Sequence, residues 1–329
     1  MTLLQAEHGG PDGGPPVAHD FSTNASPLGP PPALMSAVQA ADRQRYPDPQ
    51  YGALRRRLGE AHGADHGLVL PTAGGAEGIR RLTLAAWLNG RREAWVPQPG
   101  FGDYAIAAQA LGLTVKPYAD PADIRPTAPA LVWLCDPCNP TGTSVAAWPD
   151  LANHLVVVDR ACEPLRLAGD APPLPPGAWQ LICPNKALGL TGVRAGYLIA
   201  PAADAVWTHV QSLAPSWVLS AEGVAMLSHW PDDATAAWLA DARDQLRAWT
   251  AAQRAMLADL DWLQRPSCTH FWLAHPPRPD IATRLHGWGV RVRDAASFGL
   301  PGWVRVSAQP PAARQALQQA LLEMESEDA

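Results

Sequence analysis

The sequence predicts an α/β protein built on a mostly parallel sheet, with a smaller α+β unit after it. Three observations carry this. Short apolar, β-rich runs end in polar or turn residues at "LVWLCDP" (131–137), "HLVVVDR" (154–160) and "GYLIAP" (196–201), as strands covered on both faces do. A longer helical pattern, "GGAEGIRRLTLAAWL" (74–88), precedes them and opens at glycines. Alternation of this kind belongs to α/β folds. After about residue 205 the texture changes to a long helical repeat and isolated strands.

Taken in order, the chain starts "MTLLQAEHGG", which lacks the basic head and apolar centre of a secretory signal. Gly74 and Gly75 stand where the 74–88 helix begins, and free N–H groups at such a start favour a phosphate. Asp136, Asp159 and the loop carrying Lys186 fall at strand ends, where ligands of open α/β sheets gather. Within 241–262, Leu246, Trp249, Ala252, Met256 and Leu260 recur at helical spacing. "HFWLA" (270–274) and "WVRVSA" (303–308) follow as strands, and a terminal helix starts near Pro311. Proline clusters at 27–32, 172–176 and 276–279 mark loops. The division expected is an arm of 1–30, a large unit of 31–205 and a small unit of 206–329, with the boundary on a helix near 205–240.

Bulk properties narrow the function. A net charge of −6 with scattered basic residues argues against nucleic acid as the partner, though not against small anions. No apolar run approaches the ~18 residues of a membrane span. Five cysteines in 329 residues suggest reduced thiols in a cytoplasmic protein. "CDPC" (135–138) has no second pair at zinc spacing, so no metal site is expected.

The polar residues at the strand ends form a set. "CNPTG" (138–142) follows one strand, Asp159 ends another, and "NKALGLTGVR" supplies Lys186 and Arg194. Gly74 and Gly75 open a helix, and Phe101 follows "VPQPG". These are the parts that hold pyridoxal phosphate: a lysine to condense with its aldehyde, an aspartate to keep the ring nitrogen protonated, a glycine-led helix start and an arginine for the phosphate, an aromatic against the ring, and an asparagine for the phenolic oxygen.

Nearly the whole chain resembles the class I/II aminotransferase family of fold-type I pyridoxal-phosphate enzymes. The resemblance rests on "DFSTNASPLGP" (20–30), "RYPDPQYGALR" (45–55), "AGGAEG", "PGFGDY" (99–104), "CNPTG", the Asp159 strand, the Lys186 loop and "VRVS" (304–307), in that order. Within the family the chain is similar to histidinol-phosphate aminotransferases and to threonine-phosphate decarboxylases of cobalamin synthesis. "HGG" before "DFSTNASPLG" resembles the opening of the decarboxylases.

The resemblance implies a mostly parallel seven-stranded sheet in a large α/β/α domain, plus a smaller α+β C-terminal domain. It implies Lys186 as covalent anchor, Asp159 as partner of the ring nitrogen and Asn139 as donor to the phenolic oxygen. Gly75, Ala76 and Arg194 would hold the phosphate, and Phe101 would stack on the ring. Tyr46 would reach the cofactor phosphate of a neighbouring subunit, making a homodimer. His8, Asn24, Arg293 and Arg305 would bind substrate, Arg305 at its carboxylate and Arg293 and His8 at its phosphate. Arg291 alternates with Arg293 on the same strand, so a solvated Arg293 is the rival reading.

The chain departs from the family pattern at Cys162, where a tyrosine is usual, at Cys183 and Asn185, where hydroxyl residues are usual, and at Arg160 and Cys138. The expected activity is decarboxylation of L-threonine O-3-phosphate. The alternative is a histidinol-phosphate-type aminotransferase, and a third reading is a relative that binds the cofactor without turnover. Residue types alone leave open which bond at the substrate's α-carbon breaks.

Overall fold

The structure is a computed structural model that describes residues 7–327 apart from Asp12 and Pro279. Residues 1–6 of the expected arm and 328–329 of the expected small unit lie outside the described residues. Seven strands make the main sheet: β2 (Val69–Thr72), β3 (Glu93–Pro97), β4 (Thr114–Tyr118), β5 (Leu131–Cys135), β6 (Leu155–Asp159), β7 (Trp179–Ile182) and β8 (Gly196–Ile199). They follow β1 (His19–Asp20) in the chain and lie in the order β2-β8-β7-β6-β5-β3-β4. Only β8 runs antiparallel to its neighbours β2 and β7; every other pair is parallel. The expected seven-stranded, mostly parallel sheet is therefore present.

Alternate residues of the central strands serve opposite faces. Trp133 and Val157 pack with Ile79, Leu82 and Trp179 on one side. Val132, Leu134, Val156 and Val158 pack with Tyr118 on the other. Both faces being covered, these strands carry unbroken apolar runs. The β5–β6 register sets Cys135 opposite Asp159, which brings the 136–142 loop and the Asp159 carboxylate to one end of the sheet.

On the C-terminal side of residue 205, the helix Ala205–Ser212 buries Val206 and Val210 in the same cluster as the main sheet. The helix Ala221–His229 buries Met226 and Leu227 against Leu54, Leu58 and Ile182. The helical repeat expected at 241–262 is longer on its N-terminal side and spans Asp233–Asp259. Its first half packs Leu239 and Leu246 on Leu165, Leu167 and Ala187. Its second half packs Met256 and Leu257 with Trp272, Val306 and Leu317. One helix thus supports both groups of strands.

The second sheet consists of β9 (Leu263–Gln264), β10 (Phe271–His275), β12 (Arg293–Asp294) and β13 (Val304–Ser307), antiparallel in the order β12-β13-β10-β9. Between them in the chain, β11 (Val290–Arg291) pairs in parallel with β1. Phe21 fixes this attachment further. Its N–H donates to Arg291 O at 2.8 Å, its carbonyl accepts from Ser307 N at 2.9 Å, and its ring is fully buried. Among the described residues no helix is long and apolar enough to cross a membrane.

His270, just before β10, is fully buried, and neither ring nitrogen meets a partner in good hydrogen-bond geometry among the described residues. Burial pulls its pKa from 6.5 down to about 4; the nearby backbone of Ala25 opposes this, and Arg305 adds to it. A base with a depressed folded-state pKa binds its proton more readily once unfolded. Stability is therefore lost as the pH falls from 6.5 through 4, by about 3 kcal/mol across the window. Urea unfolding at the two ends of that window should show the loss in the wild type and a smaller one in His270→Leu.

Candidate active site

The helix Gly75–Leu88 begins after Gly74, whose φ of +86° suits glycine alone. A Cβ at Gly74 would also lie 2.7 Å from Arg194 Nη2. The glycine thus lets the guanidinium rest against a helix N-terminus, where backbone N–H groups and the helix dipole already favour an anion. Arg194 donates to Thr191 O at 3.0 Å and pairs with no carboxylate among the described residues.

Asp159 lies buried at the end of β6 with both carboxylate oxygens engaged. Oδ1 accepts from Ala161 N at 2.8 Å and Oδ2 from the Tyr104 hydroxyl at 2.6 Å. Tyr104 is itself held by stacking on Trp133, centroid to centroid 4.9 Å. Lys186 is on the loop between β7 and β8, its carbonyl accepting from Ser26 N at 2.8 Å and its Nζ 5.9 Å from the centre of the Phe101 ring. Burial alone works against charge on the Lys186 ammonium, but its pKa is raised by the surrounding Cys162, Asp159, Cys183 and Cys135, of which Asp159 is the one charged at neutral pH. Burial pushes the Cys162 thiol up to about 11 and that of Cys183 to about 12. Both are neutral at physiological pH.

Asn139 is buried, and its Oδ1 accepts from Asn24 Nδ2 at 3.2 Å and from Arg305 Nη1. That use of the oxygen leaves the amide N–H groups available to a ligand. The 135–139 loop is braced from below: Arg166 Nη2 meets Asp136 Oδ2 at 2.5 Å and Glu163 Oε2 at 2.8 Å, with the Arg166–Asp136 pair buried.

Two arginines close the other side. The β12–β13 register sets Arg293 directly opposite Arg305, and both are buried. Like charges facing each other across a strand pair are destabilising. Burial first, then neighbouring Arg293, pull the Arg305 guanidinium down to about 9; it remains a cation at neutral pH. Its donors go to Ser22 O and Asn139 Oδ1, and it forms no ion pair among the described residues. Arg293 meets Glu7. His8 stands at the mouth, Nε2 3.8 Å from Asp103 Oδ1 and its ring 5.5 Å from that of Phe101.

One cavity of about 410 Å³ joins these groups. Gly75, Ala76, Phe101, Asn139, Asp159, Lys186 and Arg194 line it from the sheet side, and His8, Asn24, Arg293 and Arg305 from the other. Every expected site residue is there except Tyr46. Tyr46 is 76% exposed and stacks on Trp217 at 4.2 Å.

The family model describing aminotransferases of class I and II matches residues 18–321. The chain belongs to the class I and II aminotransferase family. A curated relative, the histidinol-phosphate aminotransferase of Symbiobacterium thermophilum, is 31% identical over 89% of this chain and 87% of its own. Among solved structures, the histidinol-phosphate aminotransferase of Sinorhizobium meliloti in complex with pyridoxal-5'-phosphate is similar with a TM-score of 0.78 at 23% identity, covering 95% of this chain and 92% of that one. The L-threonine-O-3-phosphate decarboxylase of Porphyromonas gingivalis is similar with a TM-score of 0.77 at 20% identity, covering 93% and 99%. At those identities the structural likeness is one of fold.

As a member of this family the chain is an enzyme whose cofactor is pyridoxal phosphate. Its own residues fit that group. The Gly74 cradle, closed to any side chain, leaves an anion position between the helix start and Arg194. At the other end of the cavity, Asp159 offers a buried carboxylate to a ring N–H. The buried Asn24 Oδ1, beside Asn139, has no partner among the described residues.

The departures from the family pattern are visible as packing. Cys183 Sγ lies 3.2 Å from where a Gly75 Cβ would sit and 2.9 Å from where a Gly196 Cβ would sit. The thiol fills a tight space between helix and strand. Two contributors escaped the sequence reading. Tyr104 was available in "PGFGDY", three residues after Phe101 on one helical turn, but its bond to Asp159 spans 55 residues. Glu7 precedes His8 in an arm, and terminal segments are usually loosely held.

Proposed function

We propose that the chain is an aminotransferase of the histidinol-phosphate type, acting on a small amino compound that bears a phosphate. The observation that carries this reading is the buried pair of Arg293 and Arg305, facing each other in register inside the cavity. Two guanidiniums kept that close call for a ligand with two anionic groups, or for two ligands used in turn, each with at least one. The name of the relative at 31% identity supports the same reading.

When bound, pyridoxal phosphate supplies an electron sink for bonds at the substrate's α-carbon. In this proposal Lys186 anchors the cofactor and moves a proton at that carbon. Asp159, aligned by Tyr104 and Ala161 N–H, holds the ring nitrogen protonated. Asn139 donates to the phenolic oxygen. Gly75, Ala76 and Arg194 hold the cofactor phosphate, and Phe101 covers the ring. Arg305 orients an α-carboxylate, while Arg293, His8 and Asn24 receive the far end of the substrate. The exposed Tyr46–Trp217 stack supports a homodimer in which Tyr46 serves the neighbouring site. The reading places the enzyme in the cytoplasm, in keeping with its five unpaired cysteines.

A second reading, threonine-phosphate decarboxylase, is favoured by one feature: the His8 ring at the mouth of the cavity, against Phe101. The two differ in which bond at the α-carbon is held perpendicular to the cofactor ring. A substrate panel separates them. Transfer from glutamate to imidazole-acetol phosphate, without carbon dioxide release, is expected. Carbon dioxide from threonine phosphate would support the decarboxylase instead. Cofactor binding with neither reaction would point to a protein without turnover.

A further inference from the structure

We infer that Glu7 is a specificity-determining residue: its carboxylate occupies Arg293 until the distal anion of the substrate displaces it. The inference deepens the proposed function and rests on its anionic substrate. Arg293 Nη1 meets Glu7 Oε2 at 3.1 Å, and Nη2 donates to Glu7 O at 2.8 Å and to Ser297 Oγ at 2.6 Å. The two partners are unequal. The Arg293 side chain is 6% exposed and that of Glu7 is 67% exposed.

A buried guanidinium without a counterion is strongly unfavourable, and here the cost is raised by Arg305 directly opposite. Glu7 is the one carboxylate that pairs with either arginine among the described residues. Being largely in water, it is also easily moved, since an exposed carboxylate gains little from such a pair. The contact therefore keeps Arg293 neutralised and oriented between turnovers without a strong hold on it. A phosphate carries up to two charges and can accept two parallel guanidinium bonds, so it displaces a single carboxylate. A neutral or weakly charged distal group does not. Glu7 thus raises the threshold for entry and biases the site toward doubly charged ends.

Glu7→Gln isolates this effect. The backbone carbonyl of residue 7 still accepts from Arg293, so the arm keeps its anchor while the charge is removed. Inorganic phosphate binding to the cofactor-loaded enzyme, followed by calorimetry, is the direct readout. Glu7→Gln should tighten it about 3- to 10-fold. Arg293→Gln should weaken it at least about 10-fold, and Glu7→Gln added to Arg293→Gln should change nothing further. Unchanged or weaker phosphate binding in Glu7→Gln would overturn the inference, as would wild-type binding in Arg293→Gln. The KM for a phosphorylated substrate should fall in Glu7→Gln by a similar factor. Tighter phosphate binding with no phosphorylated amino compound turned over would leave the inference standing and sink the proposed substrate class.

Discussion

Lys186→Ala is expected to remove turnover, by more than about 10⁴-fold, together with the visible absorption of the covalently held cofactor. Two losses combine in this single change. In the proposed mechanism the covalent anchor disappears, and so does the group that moves a proton at the substrate's α-carbon; general acid–base catalysis alone contributes about 10²–10⁴-fold. The surroundings offer no substitute. Cys162 and Cys183 beside it are neutral, weak donors, their thiols held near 11 and 12 by burial. The other cations lining the cavity are guanidiniums, Arg194, Arg293 and Arg305, and none is an amine that could condense with an aldehyde as Lys186 would. The variant should fold, because truncating a partly buried lysine at a cavity wall removes no core contact. A spectrum and a single-turnover assay test the expectation. A variant that keeps both the band and the rate would mean that another amine anchors the cofactor.

Asp159→Asn should lower kcat by roughly 10²–10³-fold with little change in fold. A buried charge aimed at a developing charge is worth about that much when water is excluded. The isosteric amide keeps the acceptor for Ala161 N–H but replaces the anion that would hold a ring N–H. Tyr104 makes the site sensitive. Its hydroxyl, 2.6 Å from Asp159 Oδ2 and buried, has its own pKa raised by burial and then by Asp159, so it stays a donor. With the amide oxygen kept on Ala161 N–H, the amide nitrogen faces Tyr104, whose hydroxyl must then turn from donor to acceptor. The variant should therefore also bind the cofactor more weakly, measured by dialysis and reconstitution. A rate within about threefold of the wild type would remove Asp159 from the mechanism.

Much of the site was legible because its parts lie in short linear motifs. Lys186 and Arg194 share one loop, Gly74 to Ala76 open one helix, and Asn139 and Asp159 end adjacent strands. Residue type and local spacing carry such information. The strands that were legible, 131–135 and 155–159, are buried on both faces and so are uniformly apolar. β4, "TVKPY", was not. It lies at the edge of the sheet and is partly exposed, so its residues alternate without a clear apolar face. The antiparallel direction of β8 was hidden for a different reason: its "GYLI" is as apolar as the parallel strands β5 and β6.

By itself, then, the sequence determined the α/β class, the cofactor chemistry and the polar residues at the strand ends. Burial pattern, glycine placement and side-chain type are local properties that a linear chain displays. Tertiary structure alone decided that Arg293 faces Arg305, that Tyr104 reaches Asp159 and that Glu7 meets Arg293. These contacts depend on strand register and on arm docking, and register is fixed by packing between distant segments rather than by any residue's own preference.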